Sequence, residues 1–573
     1  MNIHSHKRRK HLRGAVPTPS EHHFKPLAGP ELRLLEIKPS NGAVGCRLRH
    51  SPLHSSPRYV ALSYVWGDAA STRLIKVDGR CFAVTQNLYS GLLRLRAMLA
   101  RRDLPPRTLF WIDAICVNQR DADEKSAQVP RMGDIYRSAA QVVIWLSTDK
   151  STARIEAEHM REILAPVGEG EWGELQEARK KGYASVEDDV AILALHLSFD
   201  RFVEHPWFSR TWTLQEAVMA RESPVFVCGD GDCGASITLD ALAEKAEMFR
   251  GNSDVPLLRI LILRDMVGPD YPVPENSGLS LIWLLKCMCT REASVIQDRV
   301  YGCYGIFQAL HCNDTPLPTP DYNLPEGQIF ADIARLIVQR TGRSFVLNTA
   351  MVKRRLKNTP TWASDLRHAY GKLGKEPGPP PEDPEHWVRV SDDGRTLSIK
   401  AALVGRCISV LEPPADWAGD YDLETIEPRV HELIADFECR MIGPLARRRG
   451  AQMEDVRRSI LSQDSLLDMY ERFLRGTPQR YNVEDIEAFT DLRFLLFERS
   501  VFVTDTGLVG IAHEDGLCRI GDSIFLRVDG GPICLRKAES CGAEQYEVIG
   551  PIDICERGLR DPAGKTFGYI DLI

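Results

Sequence analysis

A tryptophan and a glutamate share one face of a predicted helix, and this pair is the first candidate for chemistry. Pro206 suits a first helical turn, because the N–H that proline lacks has no intrahelical partner there. The segment that follows predicts a helix beginning near Trp207. Trp212 and Glu216 lie four residues apart and therefore one helical turn apart. A carboxylate beside an indole in this arrangement is either a buried structural contact or part of a site.

Further polar residues follow two predicted buried strands at the points where those strands end. In open sheets with parallel strands, ligands bind outside the carboxyl ends of the strands. We therefore expect a site at this edge, with Glu216 as the carboxylate that joins these residues. The predicted substrate-binding residues are Ser63, Trp66, Gly67, Asp68, Asp113, Asn118, Gln119 and Trp212.

Each of these residues also has a structural interpretation. Asp68 can cap a helix or a turn, and Asp113 can accept hydrogen bonds from backbone N–H groups. Trp66 and Trp111 can be core residues, since large aromatic side chains are mostly buried. The residue types and their spacing leave both interpretations open for Glu216.

The elements that must position these residues alternate between strand and helix patterns. Apolar, β-rich runs predict strands, with a hairpin and helices between them; the strands are 59–65, 108–112, 141–146 and 225–227, the hairpin is 74–84, and the helices are 88–99, 123–139, 151–166 and 187–200. Such alternation is typical of a parallel sheet covered by helices. The predicted fold class is an α/β N-terminal domain with a parallel sheet flanked by helices, then a mostly helical region and a small antiparallel β C-terminal module.

The chain length of 573 residues predicts two or three domains. We assign five regions along the chain: a weakly ordered N-terminal segment over 1–55, the α/β domain over 56–230, a mostly helical region over 231–370, a linker or exposed loop over 371–395, and a β-rich module over 396–573 with a helical insertion at about 424–480. Within the first segment, Leu32, Leu34 and Ile37 are expected to form an edge strand. No internal repeat of solenoid or propeller period is present.

Composition and charge indicate an ordinary globular protein. The hydrophobic fraction is 43%, the charged fraction is 26% and the formal net charge is −7, which gives no drive toward nucleic acid or anionic membrane. The 15 cysteines form no repeating framework, and no signal peptide or membrane-spanning run is evident. We expect a cytoplasmic location. The basic cluster at residues 6–10 offers nuclear import as an alternative.

Other motif classes are missing from the sequence. It has no Gly-x-x-x-x-Gly-Lys-Ser/Thr phosphate loop, no Gly-x-Ser-x-Gly elbow and no His-Glu-x-x-His zinc helix. The cysteine pairs lack the spacing of a zinc finger, so no metal is expected. Cys116 follows a strand but has no histidine near it in sequence, and a buried free thiol is expected there.

Four sequence blocks resemble the successive signatures of the heterokaryon incompatibility (HET) domain of filamentous fungi. In order along the chain they are 59–68 (YVALSYVWGD), 110–119 (FWIDAICVNQ), 132–136 (MGDIY) with 142–146 (VVIWL), and 207–216 (WFSRTWTLQE). Further segments of this chain resemble those that commonly follow the domain; they are 297–302 (QDRVYG), 320–322 (PDY), 502–510 (FVTDTGLVG), 521–522 and 535–536.

The resemblance implies a role in non-self recognition and in the cell death that follows fusion of incompatible fungal cells. HET domains are remotely similar to TIR domains, which have a flavodoxin-like fold and often carry Trp-x-x-x-Glu; in the enzymatic ones a glutamate cleaves NAD. Trp212 and Glu216 match this pattern, so the resemblance implies an NAD glycohydrolase with NAD as substrate and no bound cofactor. Self-association is implied as well, since single TIR-like domains commonly need assembly to complete a site.

NAD cleavage is chemically compatible with one carboxylate. The nicotinamide is already a cationic leaving group and needs no general acid, so Glu216 can act alone on the developing oxocarbenium ion. Trp66 or Trp111 can stack on a ring of the substrate, and Asp68 or Asp113 can bind a ribose hydroxyl. Two alternatives remain: a HET signalling module that acts only through protein contacts, and an accessory protein that has recruited the domain.

Overall fold

The structure is a computed structural model of the chain. It describes residues 22–39, 42–146, 198–229, 235–247, 256–268, 277–310, 317–348, 387–412, 434–461, 499–512, 518–529, 531–539, 544–554 and 566–573, together with 157, 158, 160, 161, 163, 350, 356, 359–363, 365–367, 431, 432, 470, 471 and 474. The helices predicted over 151–166 and 187–200 lie mostly outside these residues, as do most of the linker and much of the insertion. The chain divides into two compact units, residues 1–207 with 220–253 and residues 208–219 with 254–573.

The first unit is built on one mixed sheet. Over the described residues its strands are β1 (Glu31–Ile37), β2 (Gly45–Pro52), β3 (Tyr59–Tyr64), β4 (Thr72–Val77), β5 (Arg80–Thr85), β6 (Leu109–Trp111), β7 (Gln141–Trp145), β8 (Val225–Cys228) and β9 (Ala235–Thr238). They lie side by side in the order β5-β4-β2-β1-β6-β3-β7-β8-β9. All six residues of β3 are buried, as expected for a central strand.

Four neighbouring strands at the centre of this sheet, β6, β3, β7 and β8, are parallel. Across the sheet, from β6 to β8, these strands are the second, first, third and fourth of the group along the chain. The flanking pairs β1–β2, β1–β6, β4–β5 and β8–β9 are antiparallel. The prediction of a parallel sheet is therefore correct for these four central strands and wrong for the antiparallel flanking pairs, among which β4 and β5 are joined by the short turn at Asp78-Gly79. One further flanking pair, β2–β4, is parallel.

Part of the N-terminal segment forms strands that its composition does not predict. Strands β1 and β2 pair antiparallel along their whole length, and β1 also pairs with β6. The prediction of weak order up to residue 55 is wrong for the two strands Glu31–Ile37 and Gly45–Pro52. The strand predicted at Leu32–Ile37 is present, but it lies inside the sheet and not at its edge.

Helices cover the sheet where apolar residues recur at helical spacing. In the first unit they are α1 (Gln86–Arg101), α2 (Asp113–Cys116), α3 (Ala122–Gln128), α4 (Met132–Ser138) and, after the next two helices, α7 (Leu239–Glu247). Thr85 caps α1, since its hydroxyl accepts a hydrogen bond from the Leu88 N–H at 3.3 Å. Leu88, Leu92 and Leu95 form its buried face.

Two segments predicted as single helices are each divided. The predicted helix 123–139 becomes α3, a 3₁₀ turn at Val129–Arg131 and α4, with Pro130 in the turn. Proline lacks the N–H that a continuous α-helix requires. The predicted helix from Trp207 becomes α5 (Pro206–Ser209) and α6 (Thr211–Val218), because Arg210 between them is extended with φ −77° and ψ 141°.

The second unit begins as a helical region, as predicted. Its helices are α6, α8 (Pro256–Val267), α9 (Ser277–Cys289), α10 (Asp298–Tyr301), α11 (Tyr304–Ala309) and α12 (Glu326–Thr341), with a 3₁₀ turn at Phe345–Asn348. Within the predicted insertion lie a π-helix at Glu438–Ile442, α13 (Gly443–Arg449) and α14 (Met453–Ile460). Across the part of the chain that the structure describes, no helix is both long enough and apolar enough to cross a membrane.

The C-terminal strands form the predicted antiparallel module. They are β10 (Val388–Val390), β11 (Leu397–Leu411), β12 (Val501–Thr504), β13 (Val509–Ala512), β14 (Ser523–Arg527), β15 (Pro532–Lys537), β16 (Gln545–Ile554) and β17 (Gly568–Leu572). One half of the long strand β11 pairs with β12 and the other half with β14. The pairings β11-β12-β13-β16-β15-β14-β11 therefore close into a ring, with one parallel pair at β16–β17.

Candidate functional site

Trp66 and Asp113 meet at the carboxyl edge of the central parallel strands. Strands β3 and β6 are parallel neighbours, so the residues that follow them emerge on the same side. The indole Nε1 of Trp66 donates a hydrogen bond to Asp113 Oδ2 at 2.7 Å. The Trp66 side chain is 37% exposed, which leaves part of its ring accessible to solvent. The edge therefore presents an aromatic surface with a carboxylate held in a fixed orientation beside it.

The segment after β6 holds Asp113 from its own backbone. Asp113 Oδ1 accepts a hydrogen bond from the Ala114 N–H at 2.7 Å, and its main-chain oxygen accepts one from Gln119 Nε2 at 3.0 Å. Asn118 accepts a hydrogen bond on Oδ1 from the Arg120 N–H at 3.3 Å. The described contacts of Gln119 and Asn118 thus shape the loop.

The buried ion pair between Arg33 and Glu124 holds this loop through hydrogen bonds to its backbone. Arg33 on β1 donates to both carboxylate oxygens of Glu124, at 2.6 and 2.9 Å, and to the main-chain oxygen of Cys116 at 2.9 Å. Glu124 Oε1 also accepts a hydrogen bond from the Asn118 N–H at 2.7 Å. Burial raises the pKa of Glu124, but the bonds from Arg33 and Asn118 together outweigh it, so this pKa lies below its ordinary value.

Sequence reasoning missed Arg33 and Glu124. The available signal was a charged residue in an otherwise apolar strand, since Arg33 stands between Leu32 and Leu34. Its partner lies 91 residues away in the chain, and no local pattern connects them.

The turn after β3 depends on a glycine and on a buried asparagine. Gly67 has φ +77°, and a Cβ there would lie 3.3 Å from Asn87 Cβ. Asn87 Nδ2 donates to the Val65 main-chain oxygen at 2.5 Å, and its Oδ1 accepts from Trp145 Nε1 at 2.9 Å. Asn87 therefore ties the end of β3 to the end of β7. This residue was also absent from the sequence prediction.

Two predicted binding residues have contacts that give them structural roles. Asp68 is exposed, and its Oδ1 accepts a hydrogen bond from the Ala70 N–H at 2.8 Å, the geometry of an Asx turn. Ser63 is fully buried and accepts a hydrogen bond from Trp207 Nε1 at 2.8 Å. Trp207 in turn packs edge-on against Phe226, with ring centroids 5.3 Å apart. This contact places Ser63 in the core of the first unit.

Trp111 is also a core residue. It is 1% exposed and packs edge-on against Tyr136 with ring centroids 5.4 Å apart. The structural interpretation therefore applies to Trp111, and the alternative of ring stacking by Trp111 is not supported. Trp66 is the exposed tryptophan of this pair.

Trp212 and Glu216 belong to the second unit, on helix α6. They lie one turn apart there, as predicted. Glu216 is 5% exposed, and Trp212 is half-buried. Ser63, Trp66, Gly67, Asp68, Asp113, Asn118 and Gln119 belong to the first unit.

Hydrogen bonds along its whole length fix α6 within its unit. At its start, Arg291 Nη1 donates to the Arg210 main-chain oxygen at 2.9 Å. In its middle, the fully buried Gln215 accepts a hydrogen bond on Oε1 from the Gly305 N–H at 2.5 Å. Toward its end, Arg264 Nη1 donates to the Ala217 main-chain oxygen at 3.1 Å.

Among the described residues, no group of three or more His, Cys, Asp or Glu side chains is arranged to hold a metal ion. Cys116 is buried, and burial raises the pKa of its thiol to about 12. A thiol with so high a pKa carries little thiolate near neutral pH, so Cys116 is a poor nucleophile.

Comparisons with known proteins place this geometry in context. The family profile described as "Heterokaryon incompatibility protein (HET)" matches residues 59–216. The chain is 36% identical over 361 residues to heterokaryon incompatibility protein 6, OR allele, of Neurospora crassa, an alignment that covers 54% of this chain and 52% of that protein. It is 26% identical over 259 residues to vegetative incompatibility protein HET-E-1 of Podospora anserina, covering 45% of this chain and 15% of that protein.

The chain thus spans about half the length of the first of these relatives and a smaller share of the second. No solved structure matches the chain.

Proposed function

The chain is a heterokaryon incompatibility (HET) domain protein, and from this premise we propose that it acts in fungal heterokaryon incompatibility as an effector of non-self recognition and cell death. The names of both relatives support this role, since one is a heterokaryon incompatibility protein and the other a vegetative incompatibility protein. The matched residues include Trp66, Asp113 and Glu216.

The proposed chemistry is glycohydrolysis of NAD. The observation that carries it is the Trp66–Asp113 pair, an accessible indole whose N–H orients a carboxylate at the strand edge where ligands of such sheets bind. The Trp66 ring offers a stacking surface for a base or a nicotinamide. Asp113 offers an acceptor for a ribose hydroxyl.

The order of the central strands supports the finer fold assignment in this proposal. The order second, first, third, fourth matches the first four strands of a flavodoxin-like sheet. The direction in which successive strands are added to the sheet changes between β3 and β7. Ligands of flavodoxin-like sheets bind at this reversal. Trp66 follows β3, one of the two strands that flank it.

Glu216 is the proposed catalytic carboxylate. Its role is to stabilise positive charge on the ribose as the bond to nicotinamide breaks, and water then adds to the ribose. Its spacing from Trp212 is the observation behind this assignment. Self-association is part of the proposal, and light scattering of the purified chain measures it.

A second candidate function is a non-catalytic HET module that signals through protein contacts. The observation that favours it is the burial of α6, in which Gln215 and Glu216 are both at most 5% exposed. In this case the matched blocks maintain the fold, and the output does not depend on the Glu216 carboxylate.

Induced expression in a filamentous fungus tests the effector role and the strand edge together. We expect the wild-type chain to kill the host, and Asp113→Asn to restore survival because the amide removes the carboxylate charge that is proposed to bind the ribose hydroxyl. Asp123→Asn is the matched control, since Asp123 is an exposed carboxylate ten residues along the same unit. Equal killing by Asp113→Asn and wild type, at equal protein levels by immunoblot, would remove the edge from the proposed site.

A further inference from the structure

Three cysteine thiols lie together inside the C-terminal β module. Cys407 is on β11, Cys518 is in the turn that precedes β14, and Cys534 is on β15. All three are free and at most 1% exposed. The Cys518 thiol donates to the Cys534 sulfur at a distance of 3.3 Å. Cys407 packs in the same buried cluster as these two residues, and its thiol interacts with both of them.

The surrounding backbone holds this cluster in place. The Cys407 N–H donates to the Asp522 main-chain oxygen, and the Gly521 N–H donates to the Cys407 main-chain oxygen, both at 2.8 Å. The Asp522 carboxylate accepts hydrogen bonds from the Arg519 N–H at 2.7 Å and from Arg536 Nη2 at 2.8 Å. The turn that carries Cys518 is therefore attached to both strands that carry the other two cysteines.

The cluster lies close to solvent although its sulfurs are buried. Its inner side packs among apolar residues of the module that include Phe502, Ile524 and Leu526. On its outer side the turn at 519–521 is exposed, and the Ile520 side chain is 71% accessible. This exposed turn is the side from which a small oxidant would reach the sulfurs by local opening.

The thiols differ in acidity as well. The interaction with Cys518 and Cys534 lowers the pKa of Cys407, and the interaction with Cys407 raises the pKa of each of the other two thiols above its ordinary value. By contrast, burial raises the pKa of Cys303 to about 12. Thiolates are the reactive form of cysteine, so Cys407 is the nucleophile of the cluster.

We propose that this cluster is an oxidation site at which hydrogen peroxide joins Cys518 to Cys534 as a disulfide, with Cys407 as the thiol that reacts first. The 3.3 Å distance between the Cys518 and Cys534 sulfurs, with Cys407 in the same cluster, carries the inference, because disulfide formation and exchange both require a second sulfur within reach of the first. The site lies wholly in the C-terminal module and is independent of the NAD chemistry proposed above.

The steps balance in atoms and electrons. The Cys407 thiolate attacks one peroxide oxygen, the O–O bond breaks, and the released hydroxide takes a proton to become water, leaving a sulfenic acid on Cys407. Cys518 then attacks the Cys407 sulfur, and the S–O bond breaks with loss of a second water. Finally Cys534 attacks Cys518, and Cys407 leaves and recovers its proton. The net reaction converts two thiols and one hydrogen peroxide to one disulfide and two waters.

Peptide mapping of the purified full-length chain tests the site directly. Trypsin places the three cysteines in separate peptides, 407–429, 500–519 and 528–536, each with a single cysteine. After a near-stoichiometric dose of hydrogen peroxide and alkylation of the remaining thiols, we expect peptides 500–519 and 528–536 to be joined, with two hydrogen atoms lost. Cys303, which is equally buried, is the internal control and should remain fully alkylatable after denaturation.

Variants test the assignment of the first step. Cys407→Ser should slow formation of the disulfide by about tenfold or more, because it removes the most acidic thiol. Cys303→Ser should leave the rate unchanged. Circular dichroism of each variant confirms folding, and the wild-type mapping needs no variant.

Three outcomes would overturn the proposal. The first is retention of all three thiols at a dose that oxidises the exposed Cys439. The second is a wild-type rate for Cys407→Ser. The third is stoichiometric zinc in the purified protein by plasma mass spectrometry together with protection of the cluster, which would make it a metal centre.

Discussion

Single residues at the strand edge are held by partners that are distant in sequence. Asp113 is oriented by Trp66, 47 residues away, and its loop rests on the Arg33–Glu124 pair. The Arg33 guanidinium is 1% exposed, so it is costly to leave without its carboxylate. At this scale the edge depends on a few long-range polar contacts.

Glu124→Gln should lower the free energy of unfolding by about 3 kcal/mol, because it leaves a buried guanidinium without a counter-charge. Urea unfolding followed by tryptophan fluorescence measures this loss. Asp123→Gln, on the neighbouring exposed position of the same helix, should change stability by less than about 0.5 kcal/mol. An equal effect of both substitutions would show that the pair is not what stabilises the loop.

The same carboxylate predicts a pH dependence. Because the pKa of Glu124 is lower in the folded state, its contribution is fully present above the ordinary carboxyl range and is lost as pH falls through the folded value. The stability difference between wild type and Glu124→Gln should therefore be constant near neutral pH and shrink on acidification. A difference that grows on acidification would contradict this sign.

At the scale of single elements, turns and buried side chains position the strands and helices. The end of β3 passes into the edge through Gly67, in the left-handed region and close to Asn87. Helix α6 is held by three hydrogen bonds, and the one at its middle uses a buried amide, since Gln215 accepts from the Gly305 N–H. Small substitutions at Gly67 and at Gln215 should therefore lower the free energy of unfolding.

Gly67→Ala should destabilise the first unit by about 1 kcal/mol or more, because the added Cβ meets Asn87 in a backbone conformation that alanine rarely adopts. Thermal unfolding by circular dichroism measures the shift in Tm. Gly45→Ala is the matched control, since a Cβ at Gly45 meets nothing closer than 4.0 Å. Equal shifts for both would mean that the turn does not require glycine.

Gln215→Ala should cost about 1 to 3 kcal/mol, because it leaves the buried Gly305 N–H without its acceptor. Urea unfolding of the full chain provides the measurement. The control is Gln328→Ala, at an exposed position on α12, for which little change is expected. If Gln215→Ala behaved like this control, the hydrogen bond would contribute nothing to the second unit.

At the scale of the whole molecule, local patterns predicted the elements better than their arrangement. The buried strands at 59–64 and 141–145 and the hairpin at 72–85 are recognisable because apolar alternation and the Asp78-Gly79 turn are local signals. Strand β2 is mostly polar and was assigned to a weakly ordered segment. Its place in the sheet comes from pairing with β1, which no local pattern reveals.

The candidate site was predicted to a similar extent. The strand-end rule placed Trp66 and Asp113 on one edge, since both follow parallel neighbours. The rule did not separate exposed from buried residues, and so it also selected Ser63. Nor did it identify Arg33 or Asn87, whose roles depend on partners 91 and 58 residues away.

The most direct test of the proposed activity is NAD content over time after induced expression in a fungal host. We expect rapid loss of NAD with the wild-type chain and a rate of loss lower by about a hundredfold or more with Glu216→Gln, which keeps the shape of the side chain and removes its charge. Glu222→Gln, an exposed control six residues away, should match the wild type. Cell death with NAD unchanged, or equal NAD loss in wild type and Glu216→Gln at equal protein levels, would contradict the catalytic account.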